Sequence, residues 1–129
     1  MAEAETIDPL TRRVIGLAIE VHRRLGPGLL ESAYEECLCY EMREADISFT
    51  RQVSLPVVYK AVRLDCGYRM DIVAENCLIL ELKTVERMMP IHEAQMLTYL
   101  KLSGMKVGLL MNFNTVVLKD GLRRLVLDL

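Results

Sequence analysis

The stretch "LILELKTVE", residues 78–86, is an apolar strand interrupted by Glu81 and Lys83. Alternation along an extended chain sends Leu78, Leu80 and Leu82 to one face and Ile79, Glu81 and Lys83 to the other. The two charged side chains then stand about 7 Å apart on a common face. One reading is a solvated sheet face carrying an ion pair that contributes little, ~0–1 kcal/mol. The other starts from the strand's apolar neighbours. Burying an unused ion costs roughly several kcal/mol, so a chain with no use for these groups would place apolar residues here.

Just upstream, "YRMDIV" (68–73) reads as a second strand, with Arg69, Asp71 and Val73 on one face and Met70 and Ile72 on the other. A short hairpin through Glu75-Asn76 would set Asp71 beside Glu81 and Lys83. Two carboxylates on adjacent strands can bind a hard divalent cation such as Mg²⁺, which takes oxygen ligands and keeps waters for phosphates to displace. A neighbouring lysine can orient or deprotonate the attacking water and offset charge developing on phosphorus. These are the parts that phosphodiester hydrolysis needs.

The rest of the chain frames this hairpin. Asp8-Pro9 reads as an N-cap and first turn, opening a helix from about residue 9 to 25 with Val14, Ile15, Ala18, Val21, His22 and Leu25 at helical spacing. Gly26-Pro27-Gly28 stops it, and a second helix runs to about Ala45 with Leu30, Tyr34, Leu38 and Glu41 on one side. From Ile47 the residues become β-branched and aromatic, predicting a three-stranded antiparallel meander in which Pro56 sits at an edge or bulge. Pro90 opens a helix over "PIHEAQMLTYLKLSG", closed by Gly104, and two strands follow, "KVGLLMNF" and "LRRLVL". The order α-α-β-β-β-α-β-β predicts an α/β fold in which a mixed β-sheet is flanked by helices and the Pro90 helix is a crossover.

At 129 residues and 52% hydrophobic content, the chain reads as one domain over 1–129 that can bury a core without staples. A net charge of −2 and a pI near 5.7 exclude a protein that coats nucleic acid nonspecifically, leaving only a local contact. The first ten residues lack a basic leader and an apolar segment, and no run approaches the ~20 apolar residues of a membrane span. The expectation is a soluble, cytoplasmic protein. Cys37, Cys39, Cys66 and Cys77 form no CxxC pair and read as reduced, small core residues. A four-cysteine iron–sulfur site would require Cys37 and Cys39 to converge, although they point about 200° apart on a helix.

Asp71, nine intervening residues and Glu81-Leu82-Lys83 match the D-x(n)-(D/E)xK signature of the PD-(D/E)xK nuclease superfamily. Gly28-Leu29-Leu30-Glu31-Ser32-Ala33-Tyr34 resembles the motif that names the GxxExxY protein family, a group within that superfamily. "IEVHRRLGPGLLESAYEECL", "YRMDIV", "ILELKTVE", "HEAQMLTYLKLSG" and "VGLLMNF" resemble the family in order over nearly the whole chain. The resemblance implies a restriction-endonuclease-like core in which Asp71 and Glu81 hold Mg²⁺ or Mn²⁺ and Lys83 assists the attacking water. It also suggests Glu31 as a third metal-site carboxylate. Gln95-Met96-Leu97-Thr98-Tyr99 resembles the QxxxY motif of RecB-like exonucleases, which supports the site and contacts DNA. The sequence departs from the superfamily at one point, where Met70 replaces the proline before the first acid.

Each supporting residue also has a structural reading. Glu31 could simply be an acid at a helix N-terminus, favoured by the dipole. Tyr34 could reach a site group or phosphate, or pack as a core tyrosine. Gln95 and Tyr99 share a helix face. If that face covers the sheet, Gln95 needs a partner, and Lys83 would suit. His22 lies on an apolar stripe and reads as a hydrogen-bonded core residue before a ligand. The arginine pairs 12/13, 23/24 and 123/124 read as solvated faces that could border a phosphate track. Aromatic interleaving typical of single-strand binding is not evident.

The leading expectation is a divalent-metal-dependent nuclease acting on DNA or RNA. In it Asp71, Glu81, Lys83 and Gln95 are catalytic, and Glu31, Asp71 and Glu81 are metal-binding. The rival is a noncatalytic nuclease-fold domain that binds nucleic acid or a protein partner, its charged trio a structural ion-pair cluster. Homo-oligomerisation is possible through strand 106–113 if it lies near an edge.

Overall fold

A computed structural model describes residues 2–127, with side chains described from Ile7 onward. Helix α1 spans Ala2–Leu25 and α2 Glu31–Glu44, followed by strands β1 (Phe49–Ser54), β2 (Val57–Tyr59), β3 (Val62–Leu64), β4 (Arg69–Ala74) and β5 (Leu78–Lys83). Helix α3 (Pro90–Ser103), β6 (Val107–Asn112), a short 3-10 turn (Leu118–Gly121) and β7 (Leu122–Val126) complete the chain. The main sheet has the order β1-β4-β5-β6-β7. Its pairs are antiparallel except β5–β6, whose parallel register Leu78↔Val107 to Lys83↔Asn112 makes α3 the crossover. The mixed sheet flanked by helices is therefore as expected.

Helices α1 and α2 cover one face, where Val14, Ala18, Tyr34, Leu38 and Met42 pack on Leu78, Leu80, Leu82, Leu109 and Met111. Helix α3 covers the other, where Met96, Tyr99 and Leu100 meet Val73, Ile79 and Leu110. Gly108 on β6 lets α3 sit this close, because a Cβ there would collide with the Met96 thioether. The alternation predicted for β5 holds on both faces. The β4–β5 connection turns at Glu75-Asn76 as expected, with Glu75 (φ 50°) and Asn76 (φ 57°) both left-handed, Cys77 N–H donating to the Ala74 carbonyl at 3.0 Å, and Cys77 a third residue before the Ala74↔Leu78 pair closes the ladder.

Several expectations are corrected. Helix α1 starts at Ala2 and Pro9 lies inside it, so Asp8 is not its cap. The apolar stripe extends back through Leu10 and Ile7, both buried, and this packing outweighs the backbone hydrogen bond that proline forgoes. Leu30 is exposed, and the buried stripe of α2 is Tyr34, Glu35, Leu38, Cys39 and Met42. The first strand of the predicted meander is three strands. The chain leaves the main sheet at Leu55-Pro56, turns at left-handed Lys60 (φ 54°) to form a separate β2–β3 hairpin, and returns as β4. Strand β6 is interior, between β5 and β7, and so offers no edge for pairing between subunits. Cys66 is exposed, not a core residue, whereas Cys39 is buried and its thiol is pushed up to about 11, mainly by burial. No disulfide forms among the four cysteines. Among the described residues, no helix is long and apolar enough to cross a membrane.

Candidate active site

The β4–β5 ladder runs from Ala74↔Leu78 to Ile72↔Leu80 and then stops. Continued by one step, it would pair Asp71 with Glu81. Instead the strands part, and each acid caps a backbone amide of the other strand. Asp71 N–H donates to Glu81 Oε2 at 2.7 Å, and Leu82 N–H donates to Asp71 Oδ2 at 2.9 Å. The parting also turns Met70 away from the face of Ile72 and into the cluster beneath α3. Two carboxylates thus face each other at the open end of the hairpin.

Three further groups converge on this opening. Lys83 Nζ, two residues beyond Glu81, donates to Gln95 Oε1 on α3 at 3.4 Å. Tyr99, one turn after Gln95, is buried, and its hydroxyl is pushed up by burial, with Glu81 and Asp71 adding to the shift. Glu31, the first residue of α2, approaches from the opposite face of the sheet to the Thr84 backbone, within electrostatic reach of Asp71 and Lys83. It is exposed, not part of the core stripe.

The electrostatics of the three acids agree in direction. Glu81 is 4% exposed and its carboxyl is pushed up to about 8, first by burial and then by the Asp71 charge. Asp71 is raised mainly by burial, with Glu35 adding to it, and Glu31 is raised by burial and by Asp71. Lys83 opposes all three shifts without cancelling them. Groups raised together by burial and mutual repulsion typify functional sites. Among the described residues, no three His, Cys, Asp or Glu side chains are grouped so as to hold a metal ion, which also leaves the cysteines without a cluster-binding arrangement.

Two expected supporting residues act elsewhere. The Tyr34 hydroxyl donates to the Gly26 carbonyl at 2.5 Å and accepts from Leu29 N–H at 3.2 Å, while its ring stacks on Phe113 at 4.5 Å. It therefore braces the loop that sets Glu31 in place and is a packed tyrosine. His22 Nε2 lies 2.8 Å from the Thr115 carbonyl, tying α1 to the loop after β6 as a core residue. Arg23 and Arg24 pair with Glu20, and Arg124 with Asp8, so these cations are locally engaged.

Sequence reasoning missed three residues. Glu35, one turn after Glu31, is buried and meets Arg51 Nη2 at 2.8 Å and Gln52 Nε2 at 3.2 Å. Gln52 stands opposite Asp71 at the one missing step of the β1–β4 register, in the left-handed region at φ 50°, and its amide also meets Asp71. Asn112 is buried at the end of β6. It brackets Val85 through both backbone groups, at 3.1 Å to N–H and 2.9 Å to the carbonyl, and so fixes where the chain leaves β5. The spacing of Glu35 from Glu31 by one helical turn was the only local signal for any of them.

A family model described as the PD-(D/E)XK nuclease superfamily matches residues 8–125. No curated protein and no solved structure matches the chain.

Proposed function

Because the chain belongs to the PD-(D/E)XK nuclease superfamily, we propose that it is a divalent-metal-dependent nuclease that hydrolyses phosphodiester bonds of DNA or RNA. Within the superfamily, the Gly28–Tyr34 motif points to the GxxExxY group. The observation that carries the reading is the pair of carboxylates, Asp71 and Glu81, facing each other where β4 and β5 part, with Lys83 on the same face. A hydrophobic pair would continue the ladder at lower desolvation cost.

The donor set is of the kind a hard divalent cation takes, although Asp71, Glu81 and Glu31 are not gathered around one point in this structure. Its oxygens come from carboxylates, and the Lys83 charge reaches all three of them. Asp71 and Glu81 would hold Mg²⁺ or Mn²⁺, with Glu31 as a third ligand from α2. When bound, the ion supplies Lewis acidity to the phosphate oxygens. Lys83 Nζ then orients the attacking water and screens charge that develops on phosphorus. Gln95 Oε1 holds the ammonium in place through its 3.4 Å contact, and Tyr99 closes the apolar wall beside Glu81.

The test compares the protein with Lys83→Ala and Glu81→Ala on single- and double-stranded DNA and RNA in Mg²⁺ or Mn²⁺. Cleavage should fall by roughly 10²–10⁴-fold in either variant. Equal activity in all three proteins would end the claim.

One observation favours a second reading, a noncatalytic domain that binds nucleic acid or protein: both acids already accept backbone N–H groups, as a purely structural lock would. Calorimetric titration separates the two readings. Heat of Mg²⁺ or Mn²⁺ binding that disappears in Asp71→Ala supports the nuclease, and no binding even with nucleic acid present supports the lock.

A further inference from the structure

Lys83, Gln95 and Tyr99 also line a cleft of about 490 Å³, the rest of whose lining the chemistry above does not use. One wall is α3, through Ile91, Gln95, Tyr99 and Leu102, and the other is the segment around the β2–β3 hairpin, through Val57 and Tyr68. The lining is mainly aliphatic and aromatic, yet the cleft is open, with Ile91 70% and Tyr68 46% exposed. Large apolar groups left in water beside a charged site point to a ligand that covers them.

The hairpin that supplies Val57 is also the basic part of an acidic chain, although its cations lie outside the cleft lining. Residues 57–69 carry Lys60, Arg63 and Arg69 against the single acid Asp65, whereas the whole chain has a net charge of −2. All three cations are exposed. Lys60 lies over the Tyr59 ring at 5.5 Å, and Tyr59 is itself exposed. Exposed aromatic and cationic side chains therefore lie together on this segment. The low aromatic content of the sequence hid this, because few residues are involved and the folding of the hairpin gathers them.

We infer that the cleft receives an unpaired nucleobase of the substrate strand, so that the substrate class is single-stranded nucleic acid. The inference rests on the nuclease reading and deepens it. A base has two apolar faces and a polar edge, which suit Tyr68 and Ile91 on the walls and Gln95 within. Its phosphates would meet the exposed Lys60 and Arg69 near the cleft, since Arg63 is paired with Asp65 at 3.7 Å. Lys83 belongs both to the cleft and to the carboxylate site, so a base held here sets the adjoining phosphate beside Asp71 and Glu81. The space lies within the ~300–1,000 Å³ of small-molecule sites, enough for one nucleoside. Bases stacked inside a duplex cannot enter it.

The experiment measures fluorescence anisotropy of labelled 12-nucleotide single-stranded DNA, single-stranded RNA and duplex DNA, in chelator so that no metal-dependent cleavage occurs. The proteins are the full chain and its Tyr68→Ala, Tyr68→Phe and Ile91→Ser variants. Single strands should bind at least tenfold more tightly than duplex. Tyr68→Ala and Ile91→Ser should each weaken single-strand binding, by roughly tenfold for the tyrosine, and Tyr68→Phe should retain it. Both sites are exposed, so the variants should melt with the parent, and Ile91→Ser answers if Tyr68→Ala misfolds. Duplex preference, single-strand affinity indifferent to both positions, or no binding of any strand overturns the inference. The nuclease reading is judged separately, by whether Lys83→Ala loses cleavage in Mg²⁺.

Discussion

Glu35 and Glu81 are both buried carboxylates near Asp71, and the protein treats them differently. Glu35 is met by the Arg51 guanidinium at 2.8 Å and the Gln52 amide at 3.2 Å, and Arg51 also reaches the exposed Glu36 at 2.8 Å. Glu81 has one backbone N–H, from Asp71, and its nearest cation is bonded to Gln95 instead. The charge of Glu35 is balanced within the chain. That of Glu81 is not: burial first, and then the Asp71 charge, push its carboxyl up to about 8. A carboxylate whose partner is supplied by the chain reads as architecture. One left unbalanced at the same depth reads as a place for a partner that comes from outside.

The largest effect expected from this contrast is on stability against pH. In chelator the unfolded chain releases the Glu81 proton near the ordinary carboxylate value of 4.5, and the folded chain only near 8. Between those values the folded state holds more protons, so raising the pH favours unfolding. The stabilisation is complete below about 4.5 and lost as the pH climbs to about 8. Asp71 and Glu31 are shifted in the same direction and add to the loss. Glu81→Gln keeps an acceptor for the Asp71 N–H without the charge. At pH 8 it should be the more stable protein, by on the order of 4 kcal/mol, and at pH 5 nearly equal to the parent, and any metal-dependent cleavage should be lost. Urea denaturation of both proteins at the two pH values is the check. An equal pH dependence in both would place the imbalance elsewhere.

The balanced side should respond in the opposite sense. Arg51→Ala leaves Glu35 buried with an amide as its remaining side-chain partner, whereas Glu35→Ala leaves Arg51, three times more exposed, still paired with Glu36. Breaking a fully buried pair costs ~3–5 kcal/mol. With the 30% exposure of the arginine side chain, about 2 kcal/mol is expected for Arg51→Ala and about 1 for Glu35→Ala. Chemical denaturation at pH 7 gives the ranking. The reverse order would mean that the arginine, not the carboxylate, is the group held at a cost.

What could be read from the sequence follows the same division. Asp71, Glu81 and Lys83 lie on two strands joined by a tight turn, so period-two alternation and a short hairpin suffice to bring them together. Gln95 was reached because an α-helix opened by Pro90 and closed by Gly104 has only one face to lay on the sheet. The Glu35–Arg51 pair joins α2 to β1 across the two layers, and no local pattern marks it. Strand order is equally invisible to periodicity, which is why β6 could be taken for an edge. The β2–β3 hairpin was missed because Lys60-Ala61 lacks the glycine or asparagine that usually announces such a turn. Pro9 misled for the converse reason, since its local signal was strong and the packing of Ile7 and Leu10 was stronger.

The smallest expected effect concerns Gln52, where the balanced and unbalanced acids touch. Its left-handed backbone (φ 50°) interrupts the β1–β4 ladder opposite Asp71 and turns its amide toward both Glu35 and Asp71. A non-glycine residue in this region costs roughly 1 kcal/mol, and a charged acceptor offsets a similar amount. Gln52→Ala keeps the strain and removes the amide, so it should destabilise by about 1 kcal/mol. Gln52→Gly removes both, so the two losses should nearly cancel. If the amide matters to Asp71 as well as to Glu35, both variants should weaken Mg²⁺ binding equally despite their different stabilities. Should only stability change, Gln52 belongs with Glu35 and Arg51, and the boundary between architecture and site falls between Gln52 and Asp71.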